Sequence, residues 1–215
     1  LYAYRRQADF LIEEGALPQD VDRALIDFGL PMGPFAMADL AGLDIGWAVR
    51  KRQAPTRPKH LRYSPVADRI CEMGRFGQKT GAGWYRYEEG RRTPVPDPEI
   101  TALIEDVSRE LGIERHPIPD EEIVTRCVHA LVNEGAKILH EGIAARSSDI
   151  DVVWIHGYGF PRYRGGPMFY ADAAGLGAVL ETMTRLEQDQ GEWATPAPLL
   201  RELAASGRSF SDYEG

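Results

Sequence analysis

The side chains best suited to metal binding are few and scattered. The chain has five histidines and two cysteines in 215 residues, and no histidine pair is spaced as H-x-x-x-H or H-E-x-x-H. Cys71 and Cys127 stand in apolar helical patterns and are too few for a disulfide framework or a zinc cluster. We therefore predict no metal site, a reducing compartment, and structural or surface roles for the histidines. These are His60, His116, His129, His140 and His156.

The glycine-rich motifs do not complete a nucleotide-binding fingerprint. Gly81-Ala82-Gly83 and Gly157-Tyr158-Gly159 both lack the third glycine of G-x-G-x-x-G, and neither stands between a clear strand and a helix. The stretch G-R-F-G-Q-K-T has Gln78 where a phosphate-binding loop needs glycine before its lysine. The sequence excludes a nucleoside triphosphatase and indicates no dinucleotide site of its own.

One motif occurs twice, as G-L-P-M-G-P-F-A-M-A-D-L-A-G from Gly29 and as G-F-P-R-Y-R-G-G-P-M-F-Y-A-D-A-A-G from Gly159. In each copy a glycine permits positive φ after a helix, one proline blocks that helix, and a second proline begins the next helix. The aspartates of the two motifs, Asp39 and Asp172, are separated by a domain length. This spacing indicates a duplicated domain and not a short solenoid repeat.

Asp39 and Asp172 have two possible roles, since each interrupts an apolar helical face. A buried carboxylate must be paired, and amides at a helix N-terminus could pair it. Alternatively, each carboxylate could contact a ligand.

Helical spacing and Gly/Pro punctuation predict an all-α protein. We expect Ser64-Pro65 and Asp97-Pro98 to cap helices, and Ser148-x-x-Asp151 to form a capping box. The segment from Gly74 to Gly90 reads as a loop with at most one short hairpin. The proline-rich T-P-V-P-D-P-E passage predicts a boundary between a first domain over 1–95 and a second over 96–215.

Charge and hydropathy exclude two classes of partner. The formal net charge of −8 argues against nucleic acid, and no apolar run is long enough to span a membrane. Arg50 to Arg62 holds six Lys or Arg and no acid, so it is either a solvated connecting loop or an anion-binding stretch. The chain begins inside a helical pattern without Met, which predicts a fragment of a longer protein.

The segments V-D-R-A-L-I-D-F-G-L-P-M-G-P-F-A-M-A-D-L-A-G-L-D and G-R-F-G-Q-K-T-G-A-G-W-Y-R-Y resemble the C-terminal helical domain of NAD-dependent 3-hydroxyacyl-CoA dehydrogenases. The second half, with I-V-T-R-C-V-H-A-L-V-N-E-G-A-K-I-L-H-E-G-I-A, resembles the second copy found in multifunctional β-oxidation proteins. The resemblance implies two tandem helical domains like the C-terminal domain of 6-phosphogluconate dehydrogenase, packed as a pseudo-dimer.

The same resemblance implies the chemistry. In the family a histidine oriented by a glutamate removes the hydroxyl proton while hydride passes to NAD, and both residues belong to an upstream Rossmann domain. A family asparagine that holds the substrate oxygen would precede Leu1, and Asn133, the only asparagine here, lies in the second copy. No catalytic residue and no NAD site is therefore assigned to this chain.

Five residues of the first copy are expected to line the acyl path of an acyl-CoA substrate, although the turn they form could equally serve only to pack the core. They are Pro31, Met32, Gly33, Pro34 and Phe35.

The resemblance further suggests an enoyl-CoA hydratase domain upstream and a thiolase subunit as partner, with a cytoplasmic location in a bacterium and a peroxisomal one in a eukaryote. Two alternatives are a non-catalytic binding or scaffolding module and the helical domain of another hydroxyacid dehydrogenase.

Overall fold

The computed structural model describes residues 1–213. Eleven α-helices form in this part of the chain, and the β-structure there is limited to three isolated bridges between residues 77 and 95. The predictions of an all-α protein and of a loop with little pairing after Gly74 are thus confirmed. The helices are α1 (Tyr2–Glu14), α2 (Pro18–Phe28), α3 (Pro34–Ala41), α4 (Leu43–Gln53), α5 (Val66–Glu72), α6 (Pro98–Glu110), α7 (Asp120–His140), α8 (Ser147–Gly157), α9 (Pro167–Ala174), α10 (Leu176–Gln190) and α11 (Pro198–Ser206).

Proline sets the start of five helices: α2, α3, α6, α9 and α11 each have it as their first residue. Its fixed φ suits the first helical turn, where the missing N–H would have no intrahelical partner. The duplicated motif therefore produces the same geometry twice. α3 and α9 are each eight residues long, and each ends at a glycine, Gly42 or Gly175, with φ of 92°.

Two of the predicted caps are wrong and one is confirmed. Pro65 is the residue before α5, and the Ser64 hydroxyl lies beside the buried Glu13 carboxylate instead of capping the helix. In α8 it is Asp149 that accepts a hydrogen bond from the backbone of Arg146, the residue before the helix. Asp97 does cap α6, through the amide of Glu99.

The described chain divides into two compact units. The first, here called the N-terminal unit, consists of Ala8–Ile26 and Met32–Ile123. Its core is built from fully buried side chains, among them Leu11, Leu25, Phe35, Ile70, Trp84, Ile100 and Ile104. Burying each large apolar side chain contributes about 1.5–3 kcal/mol to folding. This packing stabilises helices that would be too short to be stable alone.

A buried ion pair fixes the 74–95 loop to α6 within the N-terminal unit. Arg75 donates to Asp97 at 2.7 Å and to the carbonyl of Gly83 at 3.0 Å. Burial alone would raise the pKa of Asp97, but the hydrogen bonds from Arg75 and Glu99 lower it on balance. The carboxylate that caps the helix is thereby kept charged.

The second unit, here called the C-terminal unit, consists of Leu1–Gln7, Asp27–Pro31 and the chain from Val124 onward. Its core includes Tyr4, Phe28, Phe160, Met168 and Phe210. The Phe28 ring meets Phe160 and Tyr170 edge to face, with centroids 5.7 and 5.4 Å apart.

These units do not coincide with the predicted copies, because residues 1–7 and 27–31 cluster with the second half of the chain and residues 96–123 cluster with the first. The division into homologous domains at 95/96 stays a prediction.

Candidate functional site

The five predicted substrate-binding residues differ in exposure. Pro31 belongs to the C-terminal unit and is exposed, whereas Met32 is half-buried and Gly33, Pro34 and Phe35 are buried in the N-terminal unit. The Phe35 ring contacts Trp84, with centroids 4.5 Å apart, and has no solvent exposure. Within the N-terminal unit the turn over 32–35 therefore presents Met32 to solvent, while Phe35 anchors it in the core.

The carboxylate of Asp22, on α2, fixes the end of this turn. It accepts hydrogen bonds from the backbone amides of Phe35 and Ala36, both at 2.9 Å. A negative charge is favourable there because the first amides of a helix have no intrahelical acceptor and the helix dipole is positive. Gly33 is required beside it, since a Cβ at that position would lie 2.2 Å from the Asp22 Cγ.

Asp22 is held in turn by Tyr85, whose hydroxyl donates to the second carboxylate oxygen at 2.8 Å. The phenol is almost wholly buried. Burial raises the pKa of Tyr85, and the negative charge of Asp22 raises it further, so the hydroxyl stays protonated. Tyr85 is therefore a permanent donor to Asp22.

The buried Asp39 anchors the segment that carries Tyr85. Its carboxylate accepts from the amides of Trp84 at 2.9 Å and Tyr85 at 3.0 Å, and from the Tyr87 hydroxyl at 3.0 Å. Of the two roles considered for this acid, the geometry favours the paired structural carboxylate, but its amide donors belong to a loop and not to a helix N-terminus.

Glycines of the G-R-F-G-Q-K-T-G-A-G stretch allow the loop to approach Asp39. A Cβ on Gly83 would lie 2.0 Å from the Asp39 carboxylate, and one on Gly77 would lie 2.2 Å from its carbonyl oxygen. Lys79 pairs with Asp44 at 2.5 Å. The glycines therefore serve close packing on α3, and the loop does not have the arrangement of a phosphate cradle.

The second copy repeats this geometry in the C-terminal unit. Asp151 accepts from the amides of Met168 at 2.7 Å and Phe169 at 3.2 Å at the start of α9, as Asp22 does for α3. A Cβ on Gly166 would lie 2.4 Å from Asp151, just as one on Gly33 would collide with Asp22. The structures at these two helix starts therefore match closely.

The counterpart of Asp39 is also used in the same way. Asp172 accepts from the amides of Phe210 at 2.7 Å and Ser211 at 3.1 Å. The Ser211 hydroxyl donates to Asp172 as well, at 2.7 Å. Asp172, like Asp39, is thus a paired structural acid.

The copies differ at the residue equivalent to Tyr85. Ser211 occupies that place, and its short side chain reaches Asp172 instead of Asp151. Among the described residues, Asp151 accepts hydrogen bonds from two amides and from no hydroxyl. Burial raises the pKa of Asp151 to about 6, because the two amides do not compensate for its desolvation and the neighbouring charge of Asp172 adds to the effect.

The basic stretch from Arg50 to Arg62 is partly built into the fold. Arg50 pairs with Asp68 at 2.5 Å, and Arg62 pairs with Glu13 at 2.8 Å. Arg57 stacks on the Tyr63 ring. At least half of its six cations therefore have structural partners, which weakens both the solvated-loop and the anion-binding interpretations of the stretch as a whole.

The remaining candidates for chemistry do not assemble into a site. His129 is buried and its Nδ1 lies 2.9 Å from the Thr182 hydroxyl, and burial lowers its pKa to about 4. Cys71 and Cys127 are buried free thiols. Across residues 1–213 no three His, Cys, Asp or Glu side chains are arranged to hold a metal ion.

The surface along α4 has a groove of about 460 Å³. It is lined by Asp44, Ile45, Ala48, Val49 and Arg52, none of which belongs to the predicted substrate turn. None of the helices in the described part of the chain combines the length and apolar character that a membrane span requires.

The sequence did not reveal the partnership of Asp22 and Tyr85. The available signal was the D-x-D pattern that opens a helix in both copies, which marks Asp22 and Asp151 as equivalent residues. Their target, a helix start more than ten residues downstream, is evident only from the fold.

Several relatives match almost the whole chain. The peroxisomal bifunctional enzymes of Danio rerio and Homo sapiens are 48% and 45% identical to it over 96% of its length. The chain spans only 31% of each of these relatives. The crystal structure of the dehydrogenase part of multifunctional enzyme 1 from C. elegans superposes with a TM-score of 0.74 at 26% identity, covering 94% of this chain and 45% of that one.

The family model for the 3-hydroxyacyl-CoA dehydrogenase C-terminal domain matches two stretches, residues 1–87 and 123–211. Together they cover most of the chain and include both halves of the internal repeat. The chain belongs to the 3-hydroxyacyl-CoA dehydrogenase C-terminal domain family.

Proposed function

We propose that this chain is the C-terminal helical region of an NAD-dependent 3-hydroxyacyl-CoA dehydrogenase of fatty-acid β-oxidation. The proposal is supported by the match to the dehydrogenase C-terminal domain over two stretches and by the 45–48% identity to bifunctional enzymes over 96% of the chain. The reaction oxidises the 3-hydroxyl group of an acyl-CoA thioester and transfers hydride to NAD.

The chain's own residues do not fit a dinucleotide. It lacks the complete G-x-G-x-x-G motif, and the glycines of its 74–83 loop are used for packing on Asp39. NAD and the acid–base residues therefore belong to a Rossmann domain elsewhere in the whole protein, as the family resemblance implies. When bound there, NAD supplies the hydride acceptor.

The contribution of this chain is to bind and orient the acyl-CoA. The turn over Met32, Gly33, Pro34 and Phe35, with Pro31 before it, forms part of the wall along the acyl chain. The turn is apolar, its half-buried Met32 has an adaptable side chain, and the α3 start behind it is fixed by Asp22. Exclusion of water at this wall would favour the apolar tail of the substrate.

We also propose that the two homologous copies form a pseudo-dimer. Contacts inside the C-terminal unit support this, because residues 27–31 of the first copy pack there against the second copy. The Phe28 carbonyl accepts from the Tyr163 hydroxyl and from Arg164, both at 3.0 Å. A two-fold interface needs the same surface twice, and duplication supplies both surfaces on one chain.

Further partners follow from the names of the relatives. A bifunctional enzyme implies a second activity on the same polypeptide, for which we propose an upstream enoyl-CoA hydratase domain, with a thiolase subunit as a binding partner. The similar proteins are peroxisomal or glyoxysomal enzymes, so we propose a peroxisomal location if the source is eukaryotic. A cytoplasmic location is retained only for a bacterial source.

The test compares the whole protein with this chain alone. The whole protein should form NADH from a short-chain 3-hydroxyacyl-CoA, and the chain alone should not. Supplying the upstream part in trans should restore turnover. Turnover by the chain alone would refute the proposal, and a whole protein that binds acyl-CoA without reducing NAD would favour the non-catalytic binding module.

A further inference from the structure

The two copies can be compared with each other, because the same helix start occurs with and without a tyrosine that donates to its capping aspartate. We call this contact, from Tyr85 to Asp22, the tyrosine clamp. In both, an aspartate accepts two amides at the first turn of an eight-residue helix. Among residues 1–213, a buried tyrosine donates a further hydrogen bond to that aspartate only in the first copy. The first copy is also the one that carries the predicted substrate turn.

The clamp closes a ring of hydrogen bonds around α3. Asp39, near the C-terminal end of α3, accepts the amide of Tyr85 at 3.0 Å. The Tyr85 hydroxyl then reaches Asp22, which accepts the amide of Phe35 at the N-terminal end of the same helix. Both ends of α3 are thus tied to one residue, and the turn that leads into the helix has little freedom to shift.

We propose that Tyr85 is a positioning residue for acyl-CoA binding: through Asp22 it holds the start of α3, and with it the Met32–Phe35 turn, in the shape that receives the acyl chain. The inference rests on the proposed function of this turn. Tyr85 itself is almost wholly buried and acts on the turn through Asp22. The second copy, with Ser211 in its place, keeps the fold of the helix start without this constraint.

A matched control is available two residues away. Tyr87 also donates its hydroxyl to a buried carboxylate, Asp39, at 3.0 Å, but that carboxylate does not cap the helix start. Replacing either tyrosine with phenylalanine removes one hydroxyl donor to an acid and leaves the ring in place. Only the Tyr85 change should loosen the turn.

The experiment measures steady-state kinetics and thermal unfolding of the whole protein. Tyr85→Phe should raise KM for a short-chain 3-hydroxyacyl-CoA by about 3- to 10-fold, the range expected for the loss of one ordinary net hydrogen bond. Its kcat and its KM for NAD should stay within about twofold, since the reacting groups are elsewhere. Tyr87→Phe should lower thermal stability by a similar amount and leave KM unchanged.

A second pair of variants keeps the test decisive if Tyr85→Phe fails to fold. Asp22→Asn and Asp151→Asn remove the same carboxylate from the two equivalent helix starts, so both should lose stability, and only Asp22→Asn should raise KM. The double variant Tyr85→Phe with Asp22→Asn should be no worse in KM than Asp22→Asn alone, because both act through one contact.

An unchanged KM in Tyr85→Phe, or an equal rise in Tyr87→Phe, would overturn the positioning role while leaving the proposed function intact. Additive KM effects in the double variant would overturn it as well. By contrast, a wild-type protein that forms no NADH would refute the proposed function itself.

Discussion

The raised pKa of Asp151 makes a specific prediction about pH and stability. Burial moves the pKa of this carboxyl from 3.8 to about 6 in the folded protein. Between these two values the folded state holds a proton that the unfolded state has released. Stability therefore falls as pH rises from about 4 to about 6, and the loss is complete above pH 6.

Replacing Asp151 with Asn removes this titration, so the stability difference between wild type and variant should itself depend on pH. A tenfold difference in proton affinity between the folded and unfolded states corresponds to about 1.4 kcal/mol. Between pH 5 and pH 7.5 we expect the advantage of wild type over Asp151→Asn to shrink by about 1 kcal/mol. Other titrating groups are common to both proteins and cancel in the difference.

The measurement is urea unfolding of both proteins followed by circular dichroism at several pH values. Asp212→Asn is a suitable control, since the Ser209 amide and hydroxyl lower the pKa of that exposed carboxyl. Its contribution is present above the unfolded pKa and is lost only in more acidic solution, so this control difference should stay flat from pH 5 to pH 7.5. A flat difference for Asp151→Asn, or one that grows with pH, would refute the reasoning.

Two further predictions concern packing and a buried ion pair. Gly33→Ala should lower the free energy of unfolding by about 1–3 kcal/mol, because its Cβ would lie 2.2 Å from the Asp22 Cγ. Gly177→Ala has open space around it and should raise the free energy of unfolding by up to about 1 kcal/mol. Urea unfolding measures both changes. Equal effects of the two substitutions would contradict this account. Arg75→Ala should cost about 2–3 kcal/mol, because the buried Asp97 loses its nearest cation and keeps only Arg86, at 3.6 Å. In thermal unfolding, an Arg75→Ala/Asp97→Asn double variant should recover part of the stability lost in Arg75→Ala. A double variant less stable than Arg75→Ala would argue against the poorly compensated charge of Asp97 as the cause.

The helices were largely predictable because their ends are set by residues close to those ends in the sequence. Proline at a first turn and glycine after a last turn act over a few residues, and both copies of the duplicated motif use them at the same places. The capping box at Ser148 failed because two aspartates follow it closely. Asp149 serves α8, and Asp151 points instead to the start of α9.

The hydrogen bonds among Asp22, Tyr85 and Asp39 could not be predicted from sequence, because these residues are far apart in the chain. Tyr85 and Asp22 are 63 positions apart, and the loop that carries Tyr85 follows no regular period. The burial of Phe35 was equally hidden, since an aromatic residue after Gly-Pro suits a ligand wall and a core alike. The contact between the Trp84 and Phe35 rings shows that Phe35 belongs to the core.

The sharing of residues 1–7 and 27–31 with the second half of the chain bears on how the protein can be divided. Phe28 is 6% exposed and fills space between Phe160 and Tyr170, while the Gln7 amide forms hydrogen bonds with the Gln190 side chain. Cutting the polypeptide at the repeat boundary would remove the Phe28 and Gln7 side chains and leave an open apolar cavity in the downstream piece. Expression trials should therefore keep residues 1–31 and the second half of the chain on one polypeptide.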